Sequence, residues 1–139
     1  MRVLLDTCIL AELHRPKADP AVRRAVETLP DDTIFLSVIT LGEITKGIEI
    51  LQESRRKQDL SAWLTGLDRY FADRILPVDR ETSGIWGEIT ARAQKQGTQI
   101  PAADGLIAAT ALQNGLHVMT RNTRDFIATG VLLFDPWTM

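Results

Sequence analysis

Four carboxylates stand where an apolar stretch gives way to an expected helix start: Asp6, Glu43, Asp104 and Asp125. They come from distant parts of the chain, and each has an ordinary structural use. Asp6 directly follows Val3-Leu4-Leu5, where it can cap the next helix. Thr40 and Glu43 have capping-box spacing, while Ile39, Leu41 and Ile44 place Glu43 near a sheet rather than on an open face. Asp104 falls in the first turn of a nearly uncharged helix, where the dipole favours an anion by about 0.3–1 kcal/mol. Partial burial of an unpaired carboxylate costs more than that, so a buried Asp104 needs a partner, and a cation is one candidate. If one sheet gathers these acids, they form a set of hard oxygen ligands that would repel itself without a divalent ion. Such a set suits metal-dependent cleavage of a phosphodiester.

The elements that must position them read as alternating strands and helices. Strands are expected at Val3 to Leu5, Thr33 to Leu36, Ile75 to Val78, Leu116 to Met119 and Val131 to Phe134. Helices are expected from Thr7 to about His14, from Pro20 to about Leu29, from about Thr40 to Glu53 and from about Leu60 to Phe71. Two more run from Glu81 to Gln96, ending at Gly97, and from Pro101 to Gly115, and Asn122 opens a short helical turn. Arg55-Arg56-Lys57 reads as a charged break between helices, solvated or able to help hold RNA. With no hairpin turn signal, this order predicts a single α/β domain over residues 1–139, its mainly parallel central sheet flanked by helices. In such a sheet, ligands bind beyond the carboxyl ends of the strands. Asp6, Glu43, Asn122 and Asp125 fit that edge, and the helix of Asp104 can point its N-terminus at it.

The bulk numbers fit one soluble globular domain. The chain has 139 residues, a formal charge of -2 and a single cysteine, Cys8. That charge gives no whole-molecule attraction for nucleic acid, so any binding would rest on a local basic patch. One cysteine excludes an intramolecular disulfide and permits a reducing compartment. MRVLLDTCIL lacks the longer apolar stretch and small-residue cleavage site of a secretory signal, no run reaches membrane-spanning length, and a cytoplasmic location is expected.

VLLDTCIL, SVITLGEITKGIEIL, PAADGLIAATALQNGLHVMTRNTRDF and the ending FDPW, in that order, resemble the PIN-domain ribonucleases. The closest likeness is to VapC-type toxins of type II toxin–antitoxin pairs, in the FitB-like branch. The resemblance implies a PIN-like fold and a divalent-metal-dependent endoribonuclease. It implies that Asp6, Glu43 and Asp104 hold Mg²⁺ or Mn²⁺, with Asp6 and Asp104 as direct ligands and Glu43 acting through water. Thr7, Thr120, Arg121, Asn122 and Asp125 would be substrate-binding or supporting residues. Arg121 would contact a phosphate or form a surface salt bridge, and Asp125 would add a more distant charge or cap its short helix. Many relatives carry an acid where Asn122 stands, and often Asn where Cys8 stands. The implied partners are an RNA substrate, a cognate antitoxin that blocks the site, and a second copy in a homodimer. The helical pair from about Glu43 to Phe71 is a candidate face for a dimer or a partner helix.

Two phosphatase readings fail on the residues. An aspartyl-nucleophile enzyme wants a second Asp two residues after Asp6, where Cys8 stands, and Cys8 opens no glycine-rich phosphate loop. Trp63, Trp86 and Trp137 read as core or interface residues rather than base-stacking platforms. The rival from another class is a catalytically silent PIN-like interaction module binding a partner protein or nucleic acid, against which the intact acids argue.

Overall fold

In the computed structural model, which describes residues 1–138, five parallel strands form one sheet in the order β3-β2-β1-β4-β5. They are β1 (Val3–Leu5), β2 (Ile34–Ser37), β3 (Ile75–Leu76), β4 (His117–Met119) and β5 (Leu133–Phe134). The seven α-helices among the described residues are α1 (Thr7–His14), α2 (Pro20–Glu27), α3 (Val38–Glu49), α4 (Arg55–Tyr70), α5 (Arg80–Lys95), α6 (Ala102–Asn114) and α7 (Thr123–Phe126).

The central strand shows why the sheet is legible as apolar runs. Val3 and Leu5 enter one hydrophobic core with Ile9, Leu10, Val22, Ile44, Ile48 and Phe71. Leu4, between them, enters the other with Ile89, Ile107, Ala108 and Phe126. Successive side chains point to opposite faces of a strand, and here both faces are covered. All three are at most 1% exposed, so each contributes about 1.5–3 kcal/mol of burial. On α6, Ala108, Ala109 and Ala111 are fully buried, and their small size lets the helix lie close to the sheet. Gly115 ends it in the left-handed region at φ 67°, which only glycine adopts freely.

β1 pairs on one side with β2 and on the other with β4, with Leu5 opposite Met119. The chain builds outward from β1 through β2 to β3, then crosses to start again at β4. The switch point therefore lies between β1 and β4, and the crevice beyond their carboxyl ends is where such a fold binds ligands.

Several boundaries differ from the sequence reading. α3 starts at Val38 and is capped by Ser37, whose hydroxyl accepts from Ile39 N–H. The Thr40/Glu43 capping box does not form: Thr40 lies within the helix, fully buried, its hydroxyl without a partner. Ser37 is at once the last residue of β2 and the cap of α3, so no loop marks the junction. Arg55-Arg56-Lys57 is not a break but the first turn of α4, capped by Ser54. Three cations at the positive end of a helix oppose its dipole, which is why the pattern read as an interruption. Lys57 relieves part of that conflict by donating to the Leu51 carbonyl at 3.2 Å and pairing with Glu53 at 3.1 Å. β3 and β5 are two residues each, shorter than expected. Among the described residues no helix is long and apolar enough to cross a membrane.

Candidate active site

Asp6 leaves β1 and caps α1, so its backbone is fixed from two sides. Its Oδ1 accepts from Thr7 N–H at 2.9 Å and its Oδ2 from the Thr120 hydroxyl at 2.8 Å. The same hydroxyl accepts from Asn122 N–H at 3.0 Å, which ties the turn after β4 to the acid after β1. Asp6 is only 6% exposed, so these donors set the carboxylate's direction.

Glu43 reaches the same place from α3. Its Oε1 accepts from the Thr7 hydroxyl at 3.0 Å, one residue from Asp6. It is nonetheless exposed, and the expectation that it sits away from an open face is corrected. Glycines flank this stretch of α3 at Gly42 and Gly47, and nothing lies within 4 Å of a Cβ placed at either, so that face of the helix is open.

Asp104 in the first turn of α6 feels all of them. Its carboxyl group is pushed up to about 6, first by burial and then by the charges of Asp6, Asp125 and Glu43 in turn. Asp6, Glu43 and Asp104 therefore share one electrostatic environment. Asp125, exposed on α7, contributes its charge there. It does not cap that helix; Asn122 occupies the cap position, without a side-chain hydrogen bond.

Cys8 sits inside this network. Its sulfur is 3.8 Å from Asp6 Oδ2 and 3.5 Å from the Thr120 hydroxyl, and it accepts from Arg121 N–H at 3.5 Å. Burial is the main cause that pushes its thiol up, so it stays neutral in neutral solution. The thiol contributes a long, weak contact; the strong bond to Asp6 comes from Thr120. Among the described residues Arg121 forms no ion pair; its guanidinium lies 5.0 Å from the centre of the Trp137 ring. Beside it opens a polar cleft of about 300 Å³ lined also by Glu12, Arg15, Lys17 and Asp19.

Glu12 escaped the sequence reading. It is 8% exposed and holds the loop after α1 by accepting from Arg15 at 2.9 and 3.1 Å and from Asp19 N–H at 2.9 Å. That N–H above all, then Arg15, holds its carboxyl below the usual range. The available signal was an acid on the otherwise apolar stretch TCILAELH, three residues before an arginine.

The donor set fits a hard divalent cation. Asp6, Glu43, Asp104 and Asp125 offer oxygen only, and among the described residues no Lys, Arg or His forms a salt bridge with any of them. The groups that bond to them are an amide, two hydroxyls and a thiol, which orient carboxylates without neutralising them. Among the described residues no three acids, histidines or cysteines close into a ready cage. Mg²⁺ keeps several of its waters, so carboxylates that do not close on it directly can still hold it through them.

Fold and crevice together define a carboxylate-lined α/β domain of PIN-like architecture. Residues 3–132 match the PIN domain. Toxin FitB of Neisseria gonorrhoeae (strain ATCC 700825 / FA 1090) is 38% identical over 136 residues, covering 97% of this chain and 98% of that protein. VapC ribonuclease Y4jK of Sinorhizobium fredii (strain NBRC 101917 / NGR234) is 34% identical over 136 residues, covering 97% of each. The crystal structure of FitAcB from Neisseria gonorrhoeae matches with a TM-score of 0.92 at 38% identity, over 99% of both chains. DNA-bound VapBC from Salmonella typhimurium matches with a TM-score of 0.80 at 27% identity, over 98% of both chains. The chain belongs to the PIN-domain family, among the toxins of the VapC and FitB type.

Proposed function

We propose that this chain acts as a single PIN domain, a Mg²⁺- or Mn²⁺-dependent endoribonuclease that hydrolyses RNA phosphodiester bonds as the toxin of a type II pair. The observation that carries this reading is the gathering of acids beyond the carboxyl ends of the central strands: Thr7 bonds both Asp6 and Glu43, and Asp104 on α6 stands where the charges of Asp6, Asp125 and Glu43 reach it. Asp6 and Asp104 would hold the ion directly and Glu43 through water. When bound, the ion offsets the carboxylate charge, draws in the RNA phosphate and acidifies an attacking water.

The chain's own residues have distinct parts. Thr120 aims Asp6, and Thr7 links Asp6 to Glu43. Arg121, held over Trp137 at the cleft it shares with Arg15 and Lys17, would offer a cation to a phosphate further along the strand. Asn122 leaves the fourth position an amide, so the nearest further charge is that of Asp125.

The partners we propose are an antitoxin, in the cytoplasm, and a second copy of the chain. An apolar groove of about 290 Å³ between α1, α2 and α4, lined by Leu10, Leu13, Val26, Trp63, Leu67 and Phe71, supports docking of an apolar helix face. The α3–α4 face, open at Leu41, Thr45 and Leu64, supports the homodimer.

The test is cleavage of unstructured RNA with Mn²⁺, with EDTA and with Asp6→Asn as controls. Wild type is expected to cut only with the ion present, and Asp6→Asn not at all. Equal RNA decay by both proteins would remove the enzyme and leave the silent interaction module. Stoichiometric antitoxin is expected to stop the cutting.

A further inference from the structure

α5 and α6 pack antiparallel. At one end, Gln113 near the end of α6 donates to Asp79, the cap of α5, at 3.1 and 3.2 Å. Midway, Trp86 and Thr90 of α5 lie against Gly105 of α6. At the other end, the connection from Gln96 to Pro101 lies beside the start of α6, where Asp104 stands. A cleft of about 520 Å³ opens there, lined by Trp86, Thr90, Gln94, Thr98, Gln99 and Ile100. Pro101, which also lines it, caps α6 three residues before Asp104. Its size is that of a small-ligand cleft, about 300–1,000 Å³.

Its chemistry is unlike that of the Arg121 cleft. No lining side chain carries a charge, so none of them pairs with a phosphate. Thr90 spends its hydroxyl on the Trp86 carbonyl at 2.6 Å. Gln94, Thr98 and Gln99 are exposed and form no side-chain hydrogen bond among the described residues, which leaves two primary amides and a hydroxyl free. Trp86 packs tightly on α6: a Cβ at Gly105 would stand 3.0 Å from its Cδ1 and Nε1, so glycine lets the indole lie this close. The cleft thus pairs an aromatic and aliphatic wall with free amides; Trp86, expected as a core residue, is half-buried against the α6-side core yet also lines the cleft. Single-stranded RNA is read by stacking and by hydrogen bonds to base edges, and a Gln amide can bond a base edge in two places at once.

We propose that this α5–α6 cleft is a nucleobase subsite that takes one base next to the scissile phosphate and sets the sequence preference of the cut. The proposal rests on the ribonuclease reading. The strand would cross the acids with this base on the α6 side of the sheet and a phosphate further along at Arg121, on the α1 side.

The experiment is Mn²⁺-dependent cleavage of a random-sequence, unstructured RNA pool by full-length wild type, Gln99→Ala and Gln94→Ala/Gln99→Ala, with cut sites read by sequencing. Wild type is expected to prefer one base at a single position beside the cut. In the double variant, the ratio of best to worst base at that position is expected to fall about tenfold, the share of one bidentate amide–base contact. Should the double variant fail to fold, Gln99→Ala, on the exposed connection, is expected to show part of the same flattening. An unchanged cut-site profile would overturn the proposal, and so would a rate loss uniform across sequences. A profile left intact while self-association or antitoxin binding is lost would overturn it too, assigning the cleft to a protein partner. Absence of Mn²⁺-dependent cutting by wild type itself would overturn the parent reading and this one with it; cutting without base preference would overturn this one alone.

Discussion

Removing the charge of Asp104 should make the metal-free protein more stable. The carboxyl group is raised from 3.8 to about 6 by burial and by Asp6, Asp125 and Glu43. The native state therefore binds more protons than the unfolded chain between those two values. Metal-free stability falls as pH rises through that window and stays lowered above it. At full weight, two pH units correspond to about 3 kcal/mol. The side chain is only half-buried, and solvent screening reduces this to about 1.5 kcal/mol. An asparagine also gives up the favourable contact of an anion with the start of α6, about 0.5 kcal/mol. The net expectation for Asp104→Asn is a gain of about 1 kcal/mol at pH 7.5, or about 3 °C in Tm for a domain of this length. Thermal unfolding of both proteins in EDTA at pH 7.5 and at pH 4 measures it. At pH 4 the two should differ little, because the wild-type carboxyl is then protonated. Added Mn²⁺ should raise the Tm of wild type and not of the variant, by ligand linkage. A variant less stable than wild type at pH 7.5 would show that Asp104 has a protein partner, and the repulsive-cluster argument would be wrong.

Three further perturbations probe the same site. Thr120→Val keeps the shape but removes the 2.8 Å bond to Asp6; it should destabilise the fold by about 1–2 kcal/mol in chemical denaturation and lower the cleavage rate more than tenfold. Gly105→Ala puts a methyl 3.0 Å from the Trp86 indole, so the fold should lose about 1–3 kcal/mol; adding Trp86→Leu should recover most of it, as a double-mutant cycle would reveal. Mn²⁺ affinity, measured by titration calorimetry, should fall steeply as pH drops below about 6, because a proton on Asp104 then competes with the ion; a flat profile from pH 7 to 5 would remove Asp104 from the ligand set.

The parallel sheet was readable because strands covered on both faces must be apolar throughout, and VLL, IFL and HVM leave little else for those segments to do. Asp6 was readable because it interrupts such a run at the point where the fold turns into its crevice. The start of α3 was not, since Ser37 serves strand and helix together and Thr40 mimics a better cap three residues on. The start of α4 was hidden by a basic first turn that local propensity disfavours and tertiary packing of Leu60, Leu64 and Leu67 overrides. Glu12 and the stacking of Arg121 on Trp137 depend on contacts made across the fold, so spacing alone could not reveal them.

The character of the donors explains why the site is unstable alone and useful when filled. A protein that needed only a folded crevice would place a guanidinium among these acids, as Glu12 obtains from Arg15 a few residues away. Here Asp6 receives only an amide, a hydroxyl and a distant thiol, and Glu43 only a hydroxyl. Neutral donors fix direction and leave the charge intact, and Asp104, half-buried and without a side-chain hydrogen bond among the described residues, is where burial and the other acids' charges act together. An incoming cation gains most there. An arginine or lysine brought by another chain would find the same attraction, so inhibition by a cationic partner and activation by a divalent ion, as proposed, would be two uses of one electrostatic deficit.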